Sequence, residues 1–208
     1  MSIIGKGRIT MAQLIRIVVA AGLAGVLAGC ISFGEEPPES LLTLTATASP
    51  EAGYTAQGST QSAIAVLEPG APQKLAVTRV PVQIDDTQVA YLKDAVWVEK
   101  PSRLFQRLVS ETVSARTSRV VLDEGQYLTA PGEQLAGQLM EFGVDARSNE
   151  VVVAYQAMLV SAGGKTVTQR RFEMREAIDG KVEAKPVGEA LTRAANKVAV
   201  DVAGWLGG

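Results

Sequence analysis

The stretch from Glu150 to Ala177 alternates apolar and polar residues on either side of Gly163 and Gly164, and this pattern constrains the fold more than anything else in the chain. A glycine pair takes the positive φ angles of a tight hairpin without strain. Folding there sets Val153 opposite Met174, Tyr155 opposite Phe172 and Leu159 opposite Thr168 on one face. Gln156 then opposes Arg171 and Ala154 opposes Glu173 on the other. One face is apolar and the other polar, as in a sheet covered on one side only. A preceding turn at Ser148 and Asn149 sets Val144 opposite Val153, Phe142 opposite Tyr155 and Met140 opposite Ala157. Both hairpins then turn the same residues of the shared strand to the core, and a one-residue slip would send one apolar set to water. The expectation is a three-stranded antiparallel meander over 133–177, with Leu135, Leu139 and Val152 on its outer face.

Two other segments carry a helical period. From Pro101, residues Leu104, Phe105, Leu108, Val109 and Val113 fall on one stripe of a helix ending near Thr117, with Pro101 suited to a first turn that needs no amide donor. After Pro186, the stripe is Val187, Leu191, Ala194, Ala195, Val198, Val202 and Leu206, and Glu189, Arg193, Lys197 and Asp201 form an i,i+4 ladder opposite. A membrane-surface helix would carry a denser Lys/Arg face. Leu41–Thr47, Ala63–Leu67, Lys74–Ile84 and Val120–Leu122 read as strands, with Pro69, Gly70 and Pro72 marking a turn and 49–62 a loose connection. The fold class expected is α+β: a largely antiparallel sheet with two amphipathic helices packed on one face, in a single domain over 41–208.

The N-terminus reads as an address. Lys6, Arg8 and Arg16 precede an apolar run from Ile17 to Leu27, and no acidic residue occurs before Glu35. The run is shorter than the roughly 20 apolar residues of a membrane-spanning helix. It ends in Leu27, Ala28, Gly29 and Cys30, which resembles the lipobox of bacterial lipoproteins. That resemblance implies a signal peptide over 1–29, lipidation of Cys30 with acyl chains such as palmitate, and a tether through Ser40 (residues 30–40). The alternatives are an ordinary cleaved secretory signal with an incidental cysteine, or a buried apolar helix. Ile31 stands where an Asp would resemble an inner-membrane retention signal, so the analogy implies the periplasmic face of the outer membrane.

Composition closes other routes. The chain has 20 Lys plus Arg and 22 Asp plus Glu, and the first 29 residues hold three of the basic ones, so the remainder carries 17 against 22, a net charge of −5. Nucleic acid is an unsuitable partner for that balance. There is no histidine and the only thiol is Cys30, which removes His-based acid/base catalysis, cysteine nucleophiles and the usual zinc sites together. Asp85, Asp86, Glu111, Asp123, Glu124 and Glu141 show no converging spacing. No catalytic residue, cofactor or metal is expected.

The order of particular residues resembles a known family. Ile64 to Pro69, Leu75 to Val82, Ala90, Tyr91, Leu92, Ala95 and Trp97, then the Leu104, Phe105 helix, are similar to the auxiliary lipoprotein component of ABC-type transporters. So are Leu135, Gly137, Leu139, the Arg170, Arg171, Phe172 triplet and the Ala-rich helix with Asn196 and Trp205. The resemblance, to the Pqi-system type within that family, implies a non-enzymatic periplasmic subunit on the outer membrane. It also implies as partners an MCE-domain subunit and its ABC permease and ATPase, in lipid transport. Many relatives begin the domain with a Tyr-x-Leu motif, where this chain has Leu42, Thr43 and Leu44. A second reading is a lipoprotein of outer-membrane assembly, or one that binds lipid or glycolipid outside an MCE system.

Three residues stand as candidate partner contacts. Tyr91 and Trp97 flank Lys93 and Asp94 and mark either a loop touching the transporter or, for Trp97, a cap on the core. Arg170 shares the parity of Phe172, so it lies at a rim, needs an acidic partner, or meets a transporter subunit or lipid phosphate.

Overall fold

The computed structural model describes residues 40–117, 119–122 and 132–207. Signal peptide, lipobox and Cys30 lie outside the described residues, as do Asp123 and Glu124. The class is α+β. In chain order the elements are β1 (Ile64–Val66), β2 (Arg79–Gln83), β3 (Val89–Val96), α1 (Pro101–Thr117), β4 (Val121–Leu122), β5 (Glu133–Asp145), β6 (Glu150–Val160), β7 (Val167–Ala177) and α2 (Ala184–Gly207).

The seven strands form one mixed sheet centred on β5. Along one edge β5 pairs with β6, which pairs with β7, all antiparallel. Along its other edge β5 takes two parallel partners, β1 near its start and β2 at its end. Gly70 bridges the middle, its amide donating to Gly137 O (3.0 Å) while Leu139 N donates to Gly70 O (2.8 Å). The chain thus meets β5 at 64–67, at Gly70 and again at 82–83, and departs from it after Gly70. Pro69 and Pro72, which have no amide hydrogen to give a ladder, bracket the departure. Gln73–Leu75 makes one 3-10 turn there and buries Leu75. The strand expected from Lys74 therefore begins only at Arg79, and β3 and β4 pair with β2 and β1 respectively. The Leu41–Thr47 segment makes a single parallel bridge, Leu42 to Trp97, in place of a strand.

The β6–β7 register is the one the alternation predicts, including Val153 with Met174, Tyr155 with Phe172 and Gln156 with Arg171. The β5–β6 register is not. Phe142 opposes Val153 and Val144 opposes Val151, because the turn is a four-residue loop over 146–149 closed by Asn149 at φ 55°. Phe142 and Val144 still face the core, since a two-residue shift preserves parity. A bulge at Met140 then moves the register by one, so Leu139 opposes Tyr155 and Gly137 opposes Ala157. The extra residue turns Leu135 and Leu139 inward to complete burial and leaves Met140 exposed. This reverses the outer placement expected for the two leucines.

Both helices cover one face. From α1, Leu104, Phe105, Leu108, Val109 and Val113 are buried, and α2 buries its whole stripe except Leu206, which is half-buried. Edge-to-face contacts run Trp97 to Phe142 (5.5 Å), Phe142 to Phe105 (6.5 Å) and Phe105 to Tyr155 (5.2 Å). Tyr155 lies across Gly137, where a Cβ would meet its ring at 2.8 Å and Gln156 O at 2.2 Å. Its hydroxyl donates to Ala136 O (2.8 Å), and burial pushes its pKa up. On the polar side of α2, Arg193 and Lys197 reach Glu176 on β7, and Arg193 also pairs with Asp179 (2.8 Å). These cations tie helix to sheet instead of forming the predicted ladder within the helix.

Candidate functional site

The opposite face of the sheet is open. Across it runs a groove of about 420 Å³ whose floor is low because the residues there are compact: Pro81 on β2, Gly143 on β5 and Val152 on β6. Gly143 is required by close approach, since a Cβ would sit 2.4 Å from Pro81 O and 2.8 Å from its ring. Val152 is the one apolar residue expected on the outer face that stays there, opposite Arg175 on β7.

Ion pairs form the walls. Asp145, at the end of β5, is only 10% exposed in its side chain and takes a bidentate contact from Arg147, Nε to Oδ1 at 2.9 Å and Nη2 to Oδ2 at 3.1 Å. The Arg147 amide donates to the same Oδ1 (3.2 Å), and Arg175 Nη1 reaches Oδ2 at 3.3 Å. Arg147 also bonds Asp86 from the β2–β3 hairpin (2.6 Å), so one guanidinium joins two turns. Lys74 pairs with Glu141 (2.6 Å) on one flank and Arg171 with Glu173 (2.8 Å) on the other. The four cations and four carboxylates that line the groove balance. It offers paired charges around a small apolar floor, and among the described residues no cluster of three or more His, Cys, Asp or Glu is placed to hold a metal.

The Arg147 hydrogen bonds hold the Asp145 carboxyl at about 2, below its ordinary value, against the opposing effect of burial. Arg171 likewise lowers Glu173. A depressed folded-state pKa means that Asp145 contributes its full stability above the ordinary carboxylate value of 3.8 and loses it as pH falls through about 2. In urea unfolding between pH 5 and 2, wild type is expected to be more stable than Asp145→Asn at the upper end, with the gap closing toward pH 2. A gap independent of pH would show that the Arg147 pair does not form in solution.

The residues singled out from sequence do not gather at one place. Tyr91 is half-buried on the open face, opposite Pro81, with the Arg79 guanidinium 5.0 Å over its ring. Trp97 is 1% exposed and sits in the aromatic core. Simple alternation would put both on one face, but Asp94, at φ 57°, interrupts β3 between them. Arg170 is exposed on β7 on the helix-covered side, its guanidinium 5.1 Å over Phe172, which in turn meets Trp205 at 5.9 Å. Asp86 and Glu141, read as scattered carboxylates, prove to be parts of the groove wall. Asp145 and Arg175 carried no mark in the sequence beyond the Asp-x-Arg spacing of 145 and 147 across a turn.

One sheet face covered by two helices and one left open defines an α+β domain that recurs among solved structures. Protein XCC0632 from Xanthomonas campestris has a TM-score of 0.68 at 15% identity, covering 80% of this chain and 94% of that one. A crystal structure of an uncharacterized protein gives 0.62 at 16% identity, covering 70% and 92%. At such identities the likeness is one of fold. A search of curated proteins found no match. The chain belongs to the ABC-type transport auxiliary lipoprotein component family, whose model matches residues 42–203. Among the described residues no helix is long and apolar enough to cross a membrane.

Proposed function

We propose that this protein is the lipid-anchored, non-catalytic periplasmic subunit of an MCE-type ABC lipid transport system, and that it docks or positions the assembly at the outer membrane. The family match over 42–203 carries this reading, with Cys30 directly upstream of the tether to supply the membrane attachment. A groove walled by balanced ion pairs suits recognition of a protein surface that is itself of mixed charge, since neither partner brings a net like charge to the contact. Tyr91 and its stacked Arg79 extend that open face and serve as the aromatic and cationic part of the contact. Arg170 offers a second contact on the helix-covered side, while Trp97 acts from the core by holding β3 in place.

Affinity purification of the tagged full-length lipoprotein from detergent extracts tests the assignment. The expected result is co-purification of an MCE-domain subunit with its permease and ATPase. Recovery of none of these from a protein that still fractionates with the outer membrane would reject it.

A further inference from the structure

Asn196 lies mid-way along α2 and is 5% exposed, yet every polar valence of its side chain is used. Its Oδ1 accepts from Thr47 N (2.7 Å) and Thr47 Oγ1 (2.9 Å), and its Nδ2 donates to Thr45 O (2.9 Å) and Thr192 O (2.8 Å). Three of those four bonds hold an extended segment nearly 150 residues away in sequence. The same segment is fixed at its start by Leu42, whose amide donates to Val96 O (2.7 Å) and whose carbonyl accepts from Val98 N (2.9 Å). The Leu42 side chain rests where Gly188 leaves room, since a Cβ there would lie 2.8 Å from it. Leu42, Leu44 and Ala46 are only partly buried against the core.

We propose that residues 41–48 are a strap latched by Asn196, and that the closed latch fixes how much free chain separates the lipid anchor from the domain. This rests on the reading of Cys30 as the lipidated residue. On the sequence reading of 31–40 as the tether, ten residues span at most about 35 Å at about 3.3–3.6 Å per residue, and the closed latch adds nothing to that limit. Releasing residues 41–48 adds about 28 Å to that reach without unfolding the sheet. The physical basis is an imbalance: the strap's apolar contacts are shallow, so beyond the two Leu42 backbone bonds its retention depends on the three bonds that the Asn196 amide makes to Thr45 and Thr47. Asn196 is therefore a positioning residue for the whole domain relative to the membrane.

Asn196→Leu keeps the helix and removes the latch, and Thr47→Pro removes both of the strap's donors to Asn196 at an exposed position. Hydrogen exchange on the full-length lipoprotein in detergent micelles reads the latch alone. Asn196→Leu is expected to lose about tenfold or more of the protection at the Leu42, Thr47 and Val98 amides, and Thr47→Pro, which has no amide hydrogen at 47, the same at Leu42 and Val98, while 133–177 keeps its own. Unchanged protection in Thr47→Pro overturns the latch, even if Asn196→Leu fails to fold. The tether is read in phosphatidylethanolamine/phosphatidylglycerol vesicles carrying acceptor-labelled lipid, with a donor on Lys165→Cys at the exposed β6–β7 tip. Energy transfer is expected to fall when Thr47→Pro is added, and equal transfer overturns the tether claim. A protein that never joins the vesicles rejects the Cys30 anchor and the tether claim with it, while the exchange result still decides the latch.

Discussion

Phe142→Ala is expected to destabilise the protein by about 3–5 kcal/mol, a large part of the roughly 5–15 kcal/mol that holds a domain of this size. Phe142 is fully buried and touches the edges of both Trp97 and Phe105, so its removal breaks the middle of the aromatic run. The core cannot close easily on the gap. Residue 142 lies between the Met140 bulge, which fixes the register on one side, and Gly143, which is pressed against Pro81 on the other. The groove should feel the same change, because Glu141 and Gly143 share this stretch of β5. Urea unfolding of wild type, Phe142→Ala and Phe142→Leu measures the effect. The leucine variant should recover much of the loss by refilling volume, and an alanine variant within about 1 kcal/mol of wild type would contradict the packing described.

Cys30→Ser is expected to move the protein from the membrane fraction to the soluble one while leaving its urea midpoint unchanged. Each buried methylene of an acyl chain contributes about 0.8 kcal/mol, so several chains make a lasting anchor and their loss leaves almost none. No helix among the described residues provides a second way across the bilayer. Fractionation after a high-salt wash separates the lipid from adhesion by charge. A serine variant that still sedimented with the outer membrane would remove the anchor from the proposed function and leave the family assignment standing.

The parts of the fold readable in advance are those whose signal is local. The α1 stripe and its Pro101 start, the α2 stripe and the β6–β7 register each rest on periodicity within about 30 residues. The change of parity in β5 was also visible: Leu135 and Leu139 stand at odd positions, Phe142 and Val144 at even ones. Taken as residues on two faces, these four give the wrong surface; taken as one face with an extra residue between, they give the bulge at Met140. The same applies to Tyr91 and Trp97 across Asp94. Period alone cannot choose between the two readings, because a bulge is stabilised by what covers the strand, and the cover comes from α1 and α2.

The sequence by itself determined the helices, the C-terminal hairpin, the lack of histidine chemistry and the order of residues that marks the family. Tertiary structure alone decided the parallel pairing of 64–67, Gly70 and 82–83 with β5, the groove and the Asn196 latch. Each of these depends on contacts between residues far apart in the chain: Lys74 with Glu141, Arg147 with Asp86, Asn196 with Thr45 and Thr47. Charged and amide side chains have no period of their own, and their partners are chosen by where the apolar faces bring the strands. The hydrophobic pattern is written locally, while polar pairing is settled only after the core has closed.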